Sequence, residues 1–133
     1  ISDLRSIGVK ISIDDFGTGY SSLSYLKNFT FNALKLDQSL IQDVSHSAND
    51  AAIVKATVAL AHNLGLRVVA EGVEEQVQLD FLMQNGCDEA QGYFFAPPLD
   101  YQAFYHWCKD YPFSCKQNRI EPAKGGLRKG RAA

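Results

Sequence analysis

One arrangement recurs along this chain and limits its fold more than any other feature. In "LRSIGVKISIDD" and again in "AHNLGLRVVAEG", the end of an amphipathic helix meets a glycine (Gly8, Gly65). An apolar strand follows and closes on an acid (Asp14, Glu71) six residues after that glycine. "FLMQNGCDEAQGYFF" repeats the scheme loosely, with Gly86 and then Gln91. Glycine just past a helix end is the expected left-handed terminator. A further strand is predicted in "FNALKLDQSLI", where alternation through Ala33, Lys35, Leu36 and Asp37 ends near Asp37. Helical spacing runs from about Asp50 to Asn63, with Asp50 or Asn49 available as N-cap, and again from Gln76 to Asn85 and from Tyr101 to Lys109. The order is strand and helix in alternation, four times over.

Strands separated by helices imply crossovers and a parallel sheet. Four such units make either an open sheet or half of an eight-fold barrel, whose complete form needs about 250 residues. The polar residues choose between them. Asp14, Lys35 with Asp37, Glu71 and Gln91 sit at or near the C-terminal ends of all four predicted strands. An open doubly wound sheet loads mainly one switch point, whereas a barrel converges several strand ends on one site. The expected fold is therefore α/β, a TIM-like (β/α) barrel, with this chain as its C-terminal half of about four βα units. "ISDLRSIGV" reads as the second half of a helix running into a strand, and the first residue is Ile1. The chain is thus expected to begin inside a larger domain.

Composition narrows the function classes. Residues 1–115 carry 14 acids and 7 bases, and residues 116–133 carry one acid and 6 bases. A body so acidic is a poor partner for a nucleic-acid duplex, which needs clustered Lys and Arg. The basic segment "KQNRIEPAKGGLRKGRAA" offers only Ile120 and Leu127 as sizeable apolar residues and is expected to stay unfolded as a tail. The domain is expected over 1–115 and the tail over 116–133. No apolar run approaches the roughly 18 to 20 residues that span a bilayer, and no leader of signal-peptide type opens the chain, so a cytoplasmic protein is expected. Cys87, Cys108 and Cys115 are odd in number and lack C-x-x-C spacing, which favours reduced packing cysteines over a zinc site.

The chemistry lies at the strand ends. Successive residues of an extended strand point to opposite sides, so Asp14 and Asp15 both face one ligand only if the backbone turns there, and Gly17 and Gly19 make a turn easy. Two hard carboxylate donors beside a flexible loop suit Mg²⁺, Ca²⁺ or Mn²⁺. The plainer alternative has one aspartate capping the next helix and the other solvated. Lys35, inside an apolar strand, needs a carboxylate partner or a substrate phosphate, because burying an unpaired ammonium is costly. An ion pair with Asp37 or Asp14 is its structural alternative. Glu71 is placed like a general base or a ligand that orients water. Glu74 and Glu75 read as solvated first-turn acids, Gln91 as a ligand contact or a backbone partner, and His46, His62 and His106 have no partner in view. "DFG" at Asp15 to Gly17 lacks the preceding kinase catalytic loop, and "GTGYSS" lacks the third glycine of a dinucleotide loop, so both are set aside.

Taken together, "IDDFGTGYSSLSYL", "LKLDQSLI", "VVAEGVE" and "EAQGYFFAPPL", in this order, resemble the C-terminal half of an EAL domain over about residues 1–108. The family comprises bacterial phosphodiesterases that linearise cyclic di-GMP to pGpG. The resemblance implies a β/α barrel, usually dimeric, with two divalent ions, Mg²⁺ or Mn²⁺, at the C-terminal face. It assigns metal binding to Asp14 and Asp15, catalysis to Lys35 and Glu71, and substrate contact to Gln91 and Pro98. Glu74 steadies the glycine loop of Gly17 and Gly19, which in the family also contributes to the homodimer. The tripeptide that names the family, and the Asn and Glu ligands of the strands after it, are not in this chain, so the isolated chain is expected to be inactive although every motif present is intact. The alternatives from other classes are a non-catalytic cyclic di-GMP receptor or interaction module, and a truncation product that associates through open sheet edges. The parent is expected to be cytoplasmic, with any membrane tether upstream.

Overall fold

The computed structural model describes residues 2–18 and 31–110. The chain divides into two compact units with the boundary between Pro98 and Leu99. The first begins with the short helix α1 (Ser2–Ser6) and contains four strands, β1 (Ser12–Phe16), β2 (Ala33–Leu36), β3 (Arg67–Ala70) and β4 (Glu89–Ala90). These form one sheet in the order β1-β2-β3-β4, and every neighbouring pair is parallel. Helices α2 (Gln38–Gln42) and α3 (Ala48–Asn63) connect β2 to β3, and α4 (Gln76–Gln84) connects β3 to β4. The helix expected between β1 and β2 lies outside the described residues, as does the basic tail.

The glycine terminators behave as the sequence suggests. After α3, Gly65 takes φ 72°, its N–H donates to the carbonyl of His62, and the N–H of Leu66 donates to that of Ala61. This is the two-bond Schellman stop, and it turns the chain directly into β3. The same pair of bonds closes α1 around Gly8 and α4 around Gly86. The starts are less legible. The N-cap of α3 is Ser47, whose hydroxyl accepts from the Asp50 N–H at 3.2 Å, and not Asp50 or Asn49, because serine before the first helical residue reaches that orphan donor while Asp50 is already inside the first turn. The five-residue α2, unforeseen from periodicity, starts on Asp37, whose carboxylate accepts from the Ser39 N–H at 2.9 Å.

The core is built between the sheet and α3 and α4. Leu34, Leu36, Val68 and Ala70 from the strands are fully buried with Val54, Val58 and Ala61 of α3 and Leu79 and Leu82 of α4. Each buried leucine or valine side chain contributes on the order of 1.5–3 kcal/mol. β2 buries three of its four residues, as a central parallel strand must, and the exception is Lys35. Burial thus holds β2 and β3 firmly and leaves their last residues at the sheet's C-terminal edge. In the second unit, α5 (Tyr101–Asp110) is capped by Asp100, which accepts from the Ala103 N–H at 2.8 Å, and stacks Phe104 on Trp107. No helix of the described residues is long and apolar enough to cross a membrane.

Candidate metal centre and active site

The turn that two adjacent carboxylates require occurs at Asp15 itself. β1 pairs Ile13 with Leu34 and Phe16 with Leu36, so three steps on β1 match two on β2. This one-residue bulge is accompanied by φ 51° at Asp15, a left-handed conformation that aspartate tolerates better than most side chains. The extra residue breaks the alternation of sides. As a result one oxygen each of Asp14, Asp15 and Glu71 lie within 4.8 Å of one another. Gly17 follows at φ 116°, where an added Cβ would meet Leu40 Cδ1 at 2.4 Å, so the chain leaves the bulge pressed against α2.

Lys35 and Glu71 arrive from the next two strands. The register aligns Lys35 with Val69 and Leu36 with Ala70, which puts Glu71 one step beyond the end of β3. Lys35 Nζ donates to Asp14 Oδ1 at 2.8 Å and also pairs with Glu71 Oε1. The Asp14 bond first, and then Glu71, hold the Lys35 ammonium well above the ordinary lysine value of 10.5. Gln91, just past β4, donates from Nε2 to the same Glu71 Oε1 at 2.9 Å. Four strand ends therefore meet through one connected set of side chains. Exposure falls from 63% at Asp14 to 18% at Glu71, so the cluster opens to solvent on the β1 side.

Three carboxylates converging from two strand ends, with a single lysine between two of them, are a hard-oxygen donor set of the kind that divalent cations take. Asp14, Asp15 and Glu71 are the residues able to hold such an ion. Glu74 and Pro98, both exposed, take no part in the interactions that join this cluster, and Gly19 lies outside the described residues. Asp37, one of the two partners weighed for Lys35, caps α2 instead.

A model of the EAL domain matches residues 1–98. The chain belongs to the EAL domain family. Among relatives of this EAL chain, the Pseudomonas aeruginosa protein named cyclic di-GMP phosphodiesterase NbdA is 50% identical over 110 residues, which cover 83% of this chain and 14% of that protein. The chain thus spans only about 14% of the length of such a relative. Among solved structures, the PaMucR phosphodiesterase in complex with c-di-GMP is 48% identical, with a TM-score of 0.72 over 77% of this chain and 42% of that one. Klebsiella pneumoniae BlrP1, solved with cyclic di-GMP and manganese or calcium, is 41% identical with a TM-score of 0.69 over 73% of this chain and 25% of that one. The parallel sheet described above is therefore part of a TIM-like EAL barrel, in agreement with the fold expected from the strand-end pattern.

Two features of the EAL chain escaped the sequence. His62 pairs with Asp88 at 2.9 Å, and the same Asp88 oxygen accepts the Val68 N–H at 2.8 Å, which ties α3 to the start of β3 and β4 away from the cluster. Nothing in local spacing links positions 62 and 88. Gln78 is buried in the first turn of α4, and the only local signal was an acid three residues before it, as in a capping box.

Proposed function

We propose that the polypeptide containing these residues hydrolyses one phosphodiester bond of cyclic di-GMP to give linear pGpG, with Mg²⁺ or Mn²⁺ at a two-ion site. The observation that carries this reading is the meeting of Asp14, Asp15, Lys35, Glu71 and Gln91 at the strand ends of an EAL fold. Support comes from relatives that bear the phosphodiesterase name and from EAL structures holding cyclic di-GMP with a divalent ion.

Asp14 and Asp15 would hold the ions, with one oxygen of Glu71 within 4.8 Å of theirs. When bound, such ions lower the pKa of water and draw charge from the phosphoryl oxygens. Glu71 orients the attacking water and accepts its proton. The Lys35 ammonium, charged at all physiological pH values, faces the negative charge that grows on the phosphoryl group as water adds and the 3′ oxygen leaves. Gln91 and Pro98 line the substrate, and Glu74 steadies the loop of Gly17 and Gly19. Through that loop the domain forms a homodimer. Residues 1–115 belong to the barrel and 116–133 form a basic tail, and the protein works in the cytoplasm.

A segment that covers 42% of the PaMucR chain supplies part of a barrel. The isolated 133-residue chain accordingly gives no turnover, while the polypeptide that completes the domain does. The test incubates both with cyclic di-GMP, with and without Mg²⁺, and separates products by chromatography. Asp14→Asn in the completed domain should abolish pGpG formation, whereas Asp80→Asn, on the exposed side of α4, should leave it unchanged. Equal, undiminished rates for the two variants would overturn the site assignment.

A further inference from the structure

Gln78 has only 4% of its surface exposed, and among the described residues it shares buried polar status with Thr57 alone. Its hydrogen bonds run to backbone groups of two separate segments. Oε1 accepts from the N–H groups of Glu74 at 2.8 Å and Glu75 at 3.0 Å, and Nε2 donates to the carbonyl of Gln42 at 3.3 Å. Glu74 and Glu75 end the turn that begins at Glu71. Gln42 ends α2, the helix that Asp37 caps directly after the strand of Lys35.

The other end of α2 grips the same turn. Gly72 takes φ 70°, and a Cβ there would stand 2.4 Å from Gln38 Cβ, so the turn lies flat on the first residue of α2. Within the turn Val73 is fully buried and donates its N–H to the Gln91 carbonyl at 3.0 Å. The 71–75 turn is thus pinned at both ends of α2, and the Lys35–Glu71 pair closes the circuit at the strand ends.

We propose that Gln78 is a positioning residue, which fixes the Glu71 carboxylate relative to Lys35 by clamping the 71–75 turn to the C-terminus of α2. The inference rests on the phosphodiesterase reading above and deepens it. One amide serves three backbone groups here. Loss of the amide leaves three backbone groups without their partner, and the exposed residues that carry them, Glu74, Glu75 and Gln42, can then shift toward water. The turn then gains freedom while the apolar core beneath it stays intact, so geometry at Glu71 suffers more than folding. Supporting groups of this kind alter metal affinity or activity by about 10–100-fold.

The test compares Gln78→Leu, Gln78→Glu and Val58→Ala in the polypeptide that completes the domain. It reads kcat and KM separately, Mn²⁺ affinity by electron paramagnetic resonance titration, and thermal unfolding. Gln78→Leu should lower kcat by at least about tenfold and weaken Mn²⁺ binding, with KM little changed. Gln78→Glu, which keeps the two accepting bonds but not the donor to Gln42, should fall between Leu and wild type. Val58→Ala, which opens a cavity under α3, should melt lower yet keep wild-type kcat and Mn²⁺ affinity. Wild-type kcat and Mn²⁺ affinity in Gln78→Leu would overturn the proposal, as would an equal loss of kcat in Val58→Ala. If Gln78→Leu does not fold, a Gln78→Glu variant with wild-type kcat overturns it. If the wild-type protein binds Mn²⁺ but hydrolyses nothing, the phosphodiesterase reading fails alone and the Mn²⁺ titrations decide on Gln78. If it does neither, both fall.

Discussion

Asp15 has a backbone role and a charge role, and a pair of substitutions separates them. Its carboxylate reaches within 4.8 Å of both Asp14 and Glu71. At that distance two like charges cost about 0.9 kcal/mol in bulk water and about 3.5 kcal/mol at an effective dielectric near 20. Asp15, the member common to both pairs, is exposed, so the lower figure applies. Two such pairs amount to about 2 kcal/mol, and the loss of attraction to Lys35 takes back part of it. Asp15→Asn should therefore stabilise the ion-free protein by about 1 kcal/mol, since asparagine tolerates φ 51° as aspartate does and the bulge survives. In a completed domain of some 250 residues this raises Tm by roughly 2–4 °C. Asp15→Ala removes the same charge but incurs the left-handed cost of about 1–2 kcal/mol, so it should melt below the asparagine variant by that margin. Thermal unfolding in EDTA and in Mn²⁺ provides the assay. Wild type should gain more from Mn²⁺ than either variant. An asparagine variant that melts below wild type in EDTA, or gains as much from Mn²⁺ as wild type does, would refute the idea that Asp15 completes a repulsive, cation-seeking trio.

Three further outcomes follow from the geometry. A Cβ on Gly92 would stand 2.1 Å from the Val73 carbonyl oxygen and 2.3 Å from its nitrogen, so Gly92→Ala should separate β4 from the 71–75 turn. A loss of about 3 kcal/mol or more in urea unfolding is expected, and a near-neutral result would show the contact to be slack. The Asp37 carboxyl is held below its ordinary value of 3.8 by its bonds from Ser39. Its stabilisation is therefore full above 3.8 and disappears as pH falls through the lower folded value. Asp37→Ala should accordingly cost about 1 kcal/mol at neutral pH and nothing in strong acid, by denaturant titration at both. Burial pushes the Cys87 thiol up to about 11, while Cys108 is exposed. Alkylation in mildly alkaline buffer, mapped by peptide mass spectrometry, should label Cys108 in the native protein and Cys87 only after unfolding. Rapid native labelling of Cys87 would contradict the placement of its thiol against the carbonyls of Val68 and Glu89.

The sheet and the candidate site were legible for different reasons. Helix ends at Gly8, Gly65 and Gly86 could be read because the Schellman stop is local, needing one residue with φ above zero and bonds five residues long or shorter. Glu71 and Gln91, one step past β3 and β4, and Lys35, next to the end of β2, could be read because a polar residue terminating an apolar run has few other places to go, whereas Asp14 lies inside β1, which continues through the bulge to Phe16. The choice of Ser47 over Asp50 as cap turned on a single hydrogen bond, and α2, at five residues, is too short for periodicity to register.

The sequence by itself determined which groups stand at the edge of the sheet, since propensity, glycine placement and burial pattern act over a few neighbouring residues. Only the tertiary structure decided how those groups meet. The bulge that brings Asp15 beside Asp14, the choice of Asp14 and Glu71 as partners of Lys35, and the grip of Gln78 on Gln42 each join segments about 20 to 40 residues apart. Register and packing between strands set such distances, and no window along the chain contains both partners.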